Sequence, residues 1–485
     1  MDAARRAIFR TDASVSIGGG HVRRCLVLAD ALAEAGWEIG FVCSTAARAI
    51  VPALGGRGFT LLDPATFDHA APARCALLVV DDYKLDATFE SACRPWAERI
   101  LVIDDLADRR HDCDVLLDQS PGRSRDAYAG LVPAQCEFLL GPSYALIDPR
   151  FRAARRSRKT IGKVERIFVN FGTTDAANAS AIALDALDRA KLDAAVDLVL
   201  GGAAPHLAAL RVRIAGGAPP ASVHVDVDDM ASLMRRADLA IGAGGVGALE
   251  RCALGVPSAI LTVAPNQIAN ATALGAAGAA LYLGDIGARP AAEIATALQA
   301  LCADTATRRA MSAAASQLVD GLGAARVRVS CFAPQRAKDG RVVSLRPANF
   351  ADAADMLAWQ SAPGVRRYAR NPAAPTPGEH ERWLRAKLDD PDCIFNVVLH
   401  GDAPVGVLRF DRIAAANALE VSILIAADRQ GLGIGSCALE LGKQLLAKER
   451  ICAAIHPGNV ASIRLFERAG YRAANPGEWI LAPSA

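Results

Sequence analysis

The chain has no long apolar run and no excess of charge of either sign. No uninterrupted apolar stretch reaches the roughly 20 residues that a membrane-spanning helix needs. Among its 485 residues, 54 lysines and arginines face 52 aspartates and glutamates, a formal net charge of +2. That balance leaves no electrostatic footprint for nucleic acid or an anionic membrane, so neither is expected as a partner. The 12 cysteines form no C-x-x-C pair, and none of the 8 histidines falls at zinc-finger spacing. No metal is therefore expected. The stretch MDAARRAIFRTD lacks the apolar segment of a secretion signal and moves straight into a strand-like piece. A cytoplasmic protein with free thiols is expected.

A chain this long needs more than one core, and three blocks are legible. From about residue 7, AIFRTD, WEIGFVCS, CALLVVDDY and ERILVIDDLAD read as strands separated by helical patterns. Continuous apolar runs ending in acids fit buried parallel strands whose carboxyl ends face a site. From about 160, VERIFVNFGTTD, AVDLVLGG and ADLAIGAGG repeat that logic. DPRFRAARRSRKTIGK, basic and strand-free, reads as the linker between them, and CFAPQRAKDGRV as a second linker. The third block holds a strand, a helix capped near Asp352, a hairpin turning at Gly401-Asp402, and a strand leading through glycines into a long helix. The expected domains are 1–150, 160–335 and 341–485. The expected fold class is α/β, two Rossmann-like domains followed by an α+β domain with a mixed sheet.

The stretch SVSIGGGHVRRC poses the functional question. Gly18-Gly19-Gly20 costs backbone entropy on folding, and His21 follows at the mouth of a helix. A glycine-rich turn with a capping histidine is one reading. The other is a ligand held against the main chain at a helix start, beside a ring able to move a proton near neutral pH.

The surrounding pieces carry a resemblance. FRTDASVSIGGGH, VVDDY, IDDLADRRHDCDVLLDQ, LLGPSYALI, FGTTD and GAGGVGALERCALGVPS resemble the UDP-sugar hydrolase of pseudaminic acid biosynthesis across nearly all of residues 7 to 330. The resemblance implies a GT-B arrangement of the two Rossmann-like halves. It also implies release of UDP from a diacetamido-trideoxy-altrose by water attack at the anomeric carbon, without a metal. It places His21 as the acid/base, Tyr83 as the cleft tyrosine and Asp12 as the acid at the first strand end; a turn-fixing role for Asp12 stands equally open. It implies UDP binding by Gly20, Gly244, Gly245, Glu250 and Gln267, with Glu250 on the ribose. FGTTD departs from the family's GGTD form, leaving Thr173 and Thr174 as open phosphate neighbours. Asp104, Asp105, His111, Cys113 and Asp114 fit no standard ligand set and are read as structural or sugar-contacting.

The second glycine loop, DRQGLGIGSCALELG, is spaced G-x-G-x-G after Arg-Gln and follows a hairpin. That argues against a dinucleotide βαβ unit. With HPGNVASIRLFERAGY, it resembles the GNAT acetyltransferases over about residues 342 to 480. The resemblance implies acetyl-CoA as co-substrate, held by Arg429, Gln430, Gly431, Gly433, Gly435 and Ser436, with Asn459 and Ser462 along the pantetheine. The family's tyrosine general acid is replaced by Phe466. Glu420 is the candidate for deprotonating the amine, an edge-strand carboxylate being nearly as good a reading. Trp359, Arg366 and His380 are candidates for the acceptor pocket. Together the two resemblances imply a bifunctional enzyme that N-acetylates the C4 amine of a UDP-amino sugar and hydrolyses the product. Two alternatives are a GNAT domain with another acceptor and a GNAT-like module without catalysis.

Overall fold

The computed structural model describes residues 5–67, 74–217, 220–332 and 334–483, and the chain divides into two compact units at about residue 327. The first unit contains two parallel sheets. One has seven strands: β1 (Arg6–Thr11), β2 (Glu38–Val42), β3 (Thr60–Leu62), β4 (Leu77–Asp81), β5 (Ile100–Ile103), β6 (Val115–Asp118) and β7 (Glu137–Leu140), in the order β3-β2-β1-β4-β5-β6-β7. The other has six: β8 (Arg166–Asn170), β9 (Ala195–Leu200), β10 (Ala221–Val225), β11 (Leu239–Gly242), β12 (Ser258–Thr262) and β13 (Leu281–Asp285), ordered β10-β9-β8-β11-β12-β13. In both, the order reverses beside the first strand, between β1 and β4 and between β8 and β11. A crevice opens at the carboxyl ends of strands at such a switch point. Strands β4, β5 and β6 are buried along their whole length, which is why they read as unbroken apolar runs.

The first expected linker is not an open tether. Its first half is the helix Pro149–Arg155, capped by Asp148, with Phe151 in the core of the second sheet. Arg152, Arg155 and Arg158 donate to the carbonyls of Asp320, Ser316 and Gly255. The basic residues of the expected linker instead tie main-chain acceptors.

The second unit is built on one eight-stranded sheet. Its strands are β14 (Gln335–Arg336), β15 (Val342–Pro347), β16 (Cys393–His400), β17 (Ala403–Ile413), β18 (Ala418–Ile425), β19 (Ile451–Ala454), β20 (Arg472–Asn475) and β21 (Glu478–Leu481). All neighbours are antiparallel except β18 and β19, which pair in parallel only at Leu419–Ile451 and Glu420–Cys452 and then part. This is the mixed sheet expected from the sequence. The second expected linker is partly absorbed into it, because Gln335–Arg336 forms the edge strand β14. No helix among the described residues is long and apolar enough to cross a membrane.

Candidate functional site

The loops after β1 and β4 bring the first set of side chains together. Ser14 to Gly18 forms a tight turn, the Gly18 N–H donating to the Ser14 carbonyl at 2.8 Å, and Gly18 takes φ +78°. A Cβ on Gly19 would stand 2.8 Å from Val51 and 3.2 Å from Thr173, whereas one on Gly20 would meet only Val246 at 3.9 Å. The left-handed turn and this crowding account for the first two glycines. The helix Gly20–Ala33 then starts without a side-chain cap and without an acid in its first turn, so its positive end is left uncompensated.

His21 stands in that first turn, its Nδ1 2.6 Å from Asp81 Oδ1. Asp81 closes β4 and is buried; it also accepts from Arg24 Nε at 2.7 Å and Nη2 at 2.6 Å. Burial by itself would raise the Asp81 carboxyl, but the Arg24 guanidinium and His21 outweigh it and hold the group well below the usual carboxylate range. Arg24 Nη1 reaches on to Asp105 Oδ2 at 2.9 Å, and the Tyr83 hydroxyl donates to Asp105 Oδ1 at 2.6 Å. The Tyr83 and His21 rings meet edge to face, with centroids 4.6 Å apart. Burial and the Asp105 charge push the Tyr83 phenol up, so it stays protonated. From the second sheet's side, Asn266 Nδ2 donates to the same hydroxyl oxygen at 3.1 Å.

Two helices start beside the β8/β11 switch point, and they differ. The helix Ala179–Ala190 is already supplied with an anion: Asp175 accepts from the Ala179 and Ser180 N–H groups at 2.8 and 3.0 Å. The helix Val246–Leu254 begins at Gly245 with no side-chain cap and no acid in its first turn. It faces a cleft of about 620 Å³, whose lining includes His21, Tyr83, Asp105, Gly245, Glu250 and Gln267. Burial raises the Glu250 carboxyl, opposed by the nearby Arg23 and Arg251.

In the second unit, the parting of β18 and β19 precedes the second glycine loop. Gly431 and Gly433 take φ +81° and +83°, conformations that other residues adopt at a cost. The helix Ile434–Leu445 starts behind them without a side-chain cap.

Comparison with known proteins agrees with this division. Residues 166–325 match the glycosyltransferase family 28 C-terminal domain, and residues 343–472 match the acetyltransferase (GNAT) domain. The chain is a fusion of the two. It is 26% identical over 238 residues to the UDP-2,4-diacetamido-2,4,6-trideoxy-beta-L-altropyranose hydrolase of Campylobacter jejuni, covering 48% of this chain and 82% of that protein. It is 32% identical over 189 residues to the spore coat polysaccharide biosynthesis protein SpsG of Bacillus subtilis, covering 39% of this chain and 56% of that protein. The match thus spans little more than half of the latter. MurG of Acinetobacter baumannii superposes over 65% of this chain and 95% of its own, at 15% identity and a TM-score of 0.46.

Within the first unit, His21, Tyr83, Gly20, Gly245, Glu250 and Gln267 line one cleft, joined there by Thr173 and Thr174. Of the two readings left open for Asp12, its contacts are those of the turn-fixing one. Its Oδ1 accepts from the Ala13 N–H at 2.9 Å and the Ser44 hydroxyl at 2.5 Å, fixing a turn, while Asp81 partners His21. Gly244 is corrected: its N–H donates to Gln267 Oε1 at 3.2 Å, and its Cβ would stand 3.1 Å from the Gln267 carbonyl. A side chain there would crowd Gln267 and Ala271, and the Gly244 N–H already has an acceptor. Gln267 Oε1 also accepts from Val263 N at 3.1 Å, so its oxygen shapes the loop. Of the acid-rich string, Asp105 alone lines the cleft. Asp104 and Asp114 pair with Arg109 and Arg94, and His111 with Glu90. The thiol of Cys113 lies buried beside Cys136. Among the described residues no three His, Cys, Asp or Glu side chains gather as a metal site.

In the GNAT half, Arg429 pairs with Asp428, and the Gln430 amide donates to the Ile425 carbonyl, while Gly435 and Ser436 sit in the first turn of the following helix. Asn459 caps the helix Val460–Arg468, its Oδ1 accepting from the Ser462 N–H at 3.1 Å. Glu420 is bound to Arg370 at 2.5 Å. His380 is corrected: it is buried against Trp383 with its charged form disfavoured by burial. Arg366 is half-exposed and donates to Gln360 and to the Asn371 carbonyl. Trp359 packs on the apolar core of this unit. Phe466 is buried edge-on against Tyr471.

Sequence reasoning missed Asp81 as the partner of His21, Arg24 as the clamp on two carboxylates, and Lys338. The last donates its backbone N–H to the Leu432 carbonyl and its ammonium to the Gly431 carbonyl at 2.8 Å. The i, i+3 spacing of His21 and Arg24 on one helix face was the available signal for the clamp.

Proposed function

We propose that the cleft of the first unit hydrolyses UDP-2,4-diacetamido-2,4,6-trideoxy-β-L-altropyranose to UDP and the free sugar. We further propose that the GNAT domain acetylates the C4 amine of the UDP-amino sugar from acetyl-CoA, with domain limits of 1–150, 160–335 and 341–485. The observation that carries the first step is the buried Asp81 on His21 Nδ1, with Tyr83 against the ring. A neutral imidazole that donates from Nδ1 keeps Nε2 as its basic nitrogen. His21 Nε2 then takes a proton from water as the water oxygen bonds to the anomeric carbon. The bond from that carbon to the diphosphate oxygen breaks, and its electron pair leaves with UDP. Asp81 holds the ring and stabilises the imidazolium, while Tyr83, kept protonated and held by Asp105 and Asn266, donates a hydrogen bond toward sugar or water.

For the second step, the open start of the helix Ile434–Leu445 accepts the pyrophosphate of acetyl-CoA. Glu420 takes the proton from the attacking amine once Arg370 is displaced from it. The amine nitrogen bonds to the acetyl carbon, the bond from that carbon to sulfur breaks, and the thiolate acquires its proton from water, because Phe466 has none to give.

The test is to incubate the full chain with the UDP-4-amino sugar, with and without acetyl-CoA, and with the diacetamido product. UDP release from the diacetamido sugar, and thiol release only when amino sugar is present, are expected. His21→Ala is expected to slow UDP release by about a hundredfold or more, and chelators to leave it unchanged. Unchanged turnover in His21→Ala would remove the assignment.

A further inference from the structure

The two arginines after His21 do different work. Arg24 is buried and bound to Asp81 and Asp105. Arg23, half-buried, lines the cleft, and its guanidinium has no hydrogen-bond partner among the described residues. Across the cleft are Glu250 and Arg251, both on the helix Val246–Leu254. Arg251 is 1% exposed and donates from Nη2 to the Ala243 carbonyl at 2.7 Å, while its Nε has no partner. Burial pushes it down to about 10, so it remains charged at neutral pH. Its guanidinium lies directly under the glycine loop, where a Cβ on Gly242 would stand 2.7 Å from it.

The cleft lining carries Arg23, Arg24 and Arg251 against Asp105, Asp175, Asp226 and Glu250. Arg24 is taken up by Asp81 and Asp105, and Asp175 by the start of the helix Ala179–Ala190. At the uncapped start of the helix Val246–Leu254 the local charges are therefore Arg23 and Arg251 beside Glu250, which together with the helix end favour an anion there. A sugar-linked nucleoside diphosphate carries two negative charges, and cleavage at the sugar adds a third to the leaving group. A cation placed where that charge develops lowers the barrier.

We propose that Arg23 binds the sugar-side phosphate of a nucleoside diphosphate seated at the start of the helix Val246–Leu254, and neutralises the charge that arises there when the bond to the sugar breaks. Arg23 and His21 share the first turn of one helix and both line the cleft, and Arg23 lies close enough to Glu250 of the facing helix to lower its carboxyl, so its guanidinium stands between the His21 side and the open helix start. The inference rests on the hydrolase reading for its substrate, but its binding arm can be read without turnover.

The experiment titrates the full chain calorimetrically with UDP and with UMP, in wild type, Arg23→Gln and Arg23→Lys. Wild type is expected to prefer UDP over UMP. Arg23→Gln is expected to weaken UDP about tenfold, as for loss of one charged hydrogen bond, and to leave UMP within about twofold. Arg23→Lys is expected to fall between, since an ammonium keeps the charge and loses the planar fork. With the sugar nucleotide, kcat should fall more than KM rises, as for a charge stabilised in the transition state. Equal weakening of UDP and UMP, or unchanged UDP affinity at a wild-type melting temperature, overturns the proposal. No UDP binding by wild type overturns it together with the nucleotide reading. UDP binding with the expected Arg23 dependence but no hydrolysis removes only the hydrolase reading.

Discussion

Replacing Asp81 by asparagine separates holding His21 from charging it. The amide fits the same space, but the buried carboxylate accepts two hydrogen bonds from Arg24 and faces His21 Nδ1 at 2.6 Å. Removing one partner of a buried ion pair costs about 3–5 kcal/mol. Asp105 still holds Arg24 Nη1 at 2.9 Å, so the lower end of that range is expected in urea unfolding. The second consequence is chemical. An asparagine NH₂ turned to His21 donates to Nδ1 and moves the ring proton to Nε2, the nitrogen that must accept from water. UDP release should fall by about 10²–10⁴, with UDP affinity unchanged. The pH dependence has a definite sign. Because the folded Asp81 carboxyl lies well below its usual range, its stabilisation is complete above about pH 4 and is lost only as pH falls through the folded value. An acid limb in the rate above pH 5 therefore does not belong to Asp81. An Asp81→Asn protein that folds, binds UDP and retains a third or more of the wild-type rate would refute the tautomer argument.

Gly433→Asp puts a side chain at φ +83° and a negative charge at the glycine loop, so acetyl-CoA binding should disappear while UDP release persists; loss of both in a folded protein would show that the two activities are not independent. Lys338→Gln removes a cation bonded to the Gly431 carbonyl, and KM for acetyl-CoA is expected to rise about three- to tenfold with kcat near wild type, whereas an unchanged KM would leave Lys338 only a strut for the loop. Phe466→Tyr adds a hydroxyl at a residue packed on Tyr471. Acetyl transfer, followed by thiol release, should be retained or modestly raised, and a folded but inactive variant would show that the position shapes the acceptor pocket instead.

The sequence by itself determined the strand-loop-helix units, the parallel sheets and the two glycine loops, because these rest on local signals: apolar runs, glycine spacing and helix periodicity. His21 and Tyr83 were assigned to the cleft through the family resemblance, the local glycine pattern alone leaving a plain turn open, and both do line it. The tertiary structure decided which acid serves His21. Asp12 is nearer in sequence, but the order β3-β2-β1-β4 sets the end of β4 against β1 and delivers Asp81. Strand order is a long-range choice that no local period encodes. Packing likewise decided that the first linker is half helix, that His380 belongs to a core, and that Gly244 is crowded by Gln267. The helix starts show the same division. Both follow glycine- or threonine-rich loops in the sequence, yet Asp175 fills one and leaves the other open, because only the folded backbone fixes which N–H groups a carboxylate can reach.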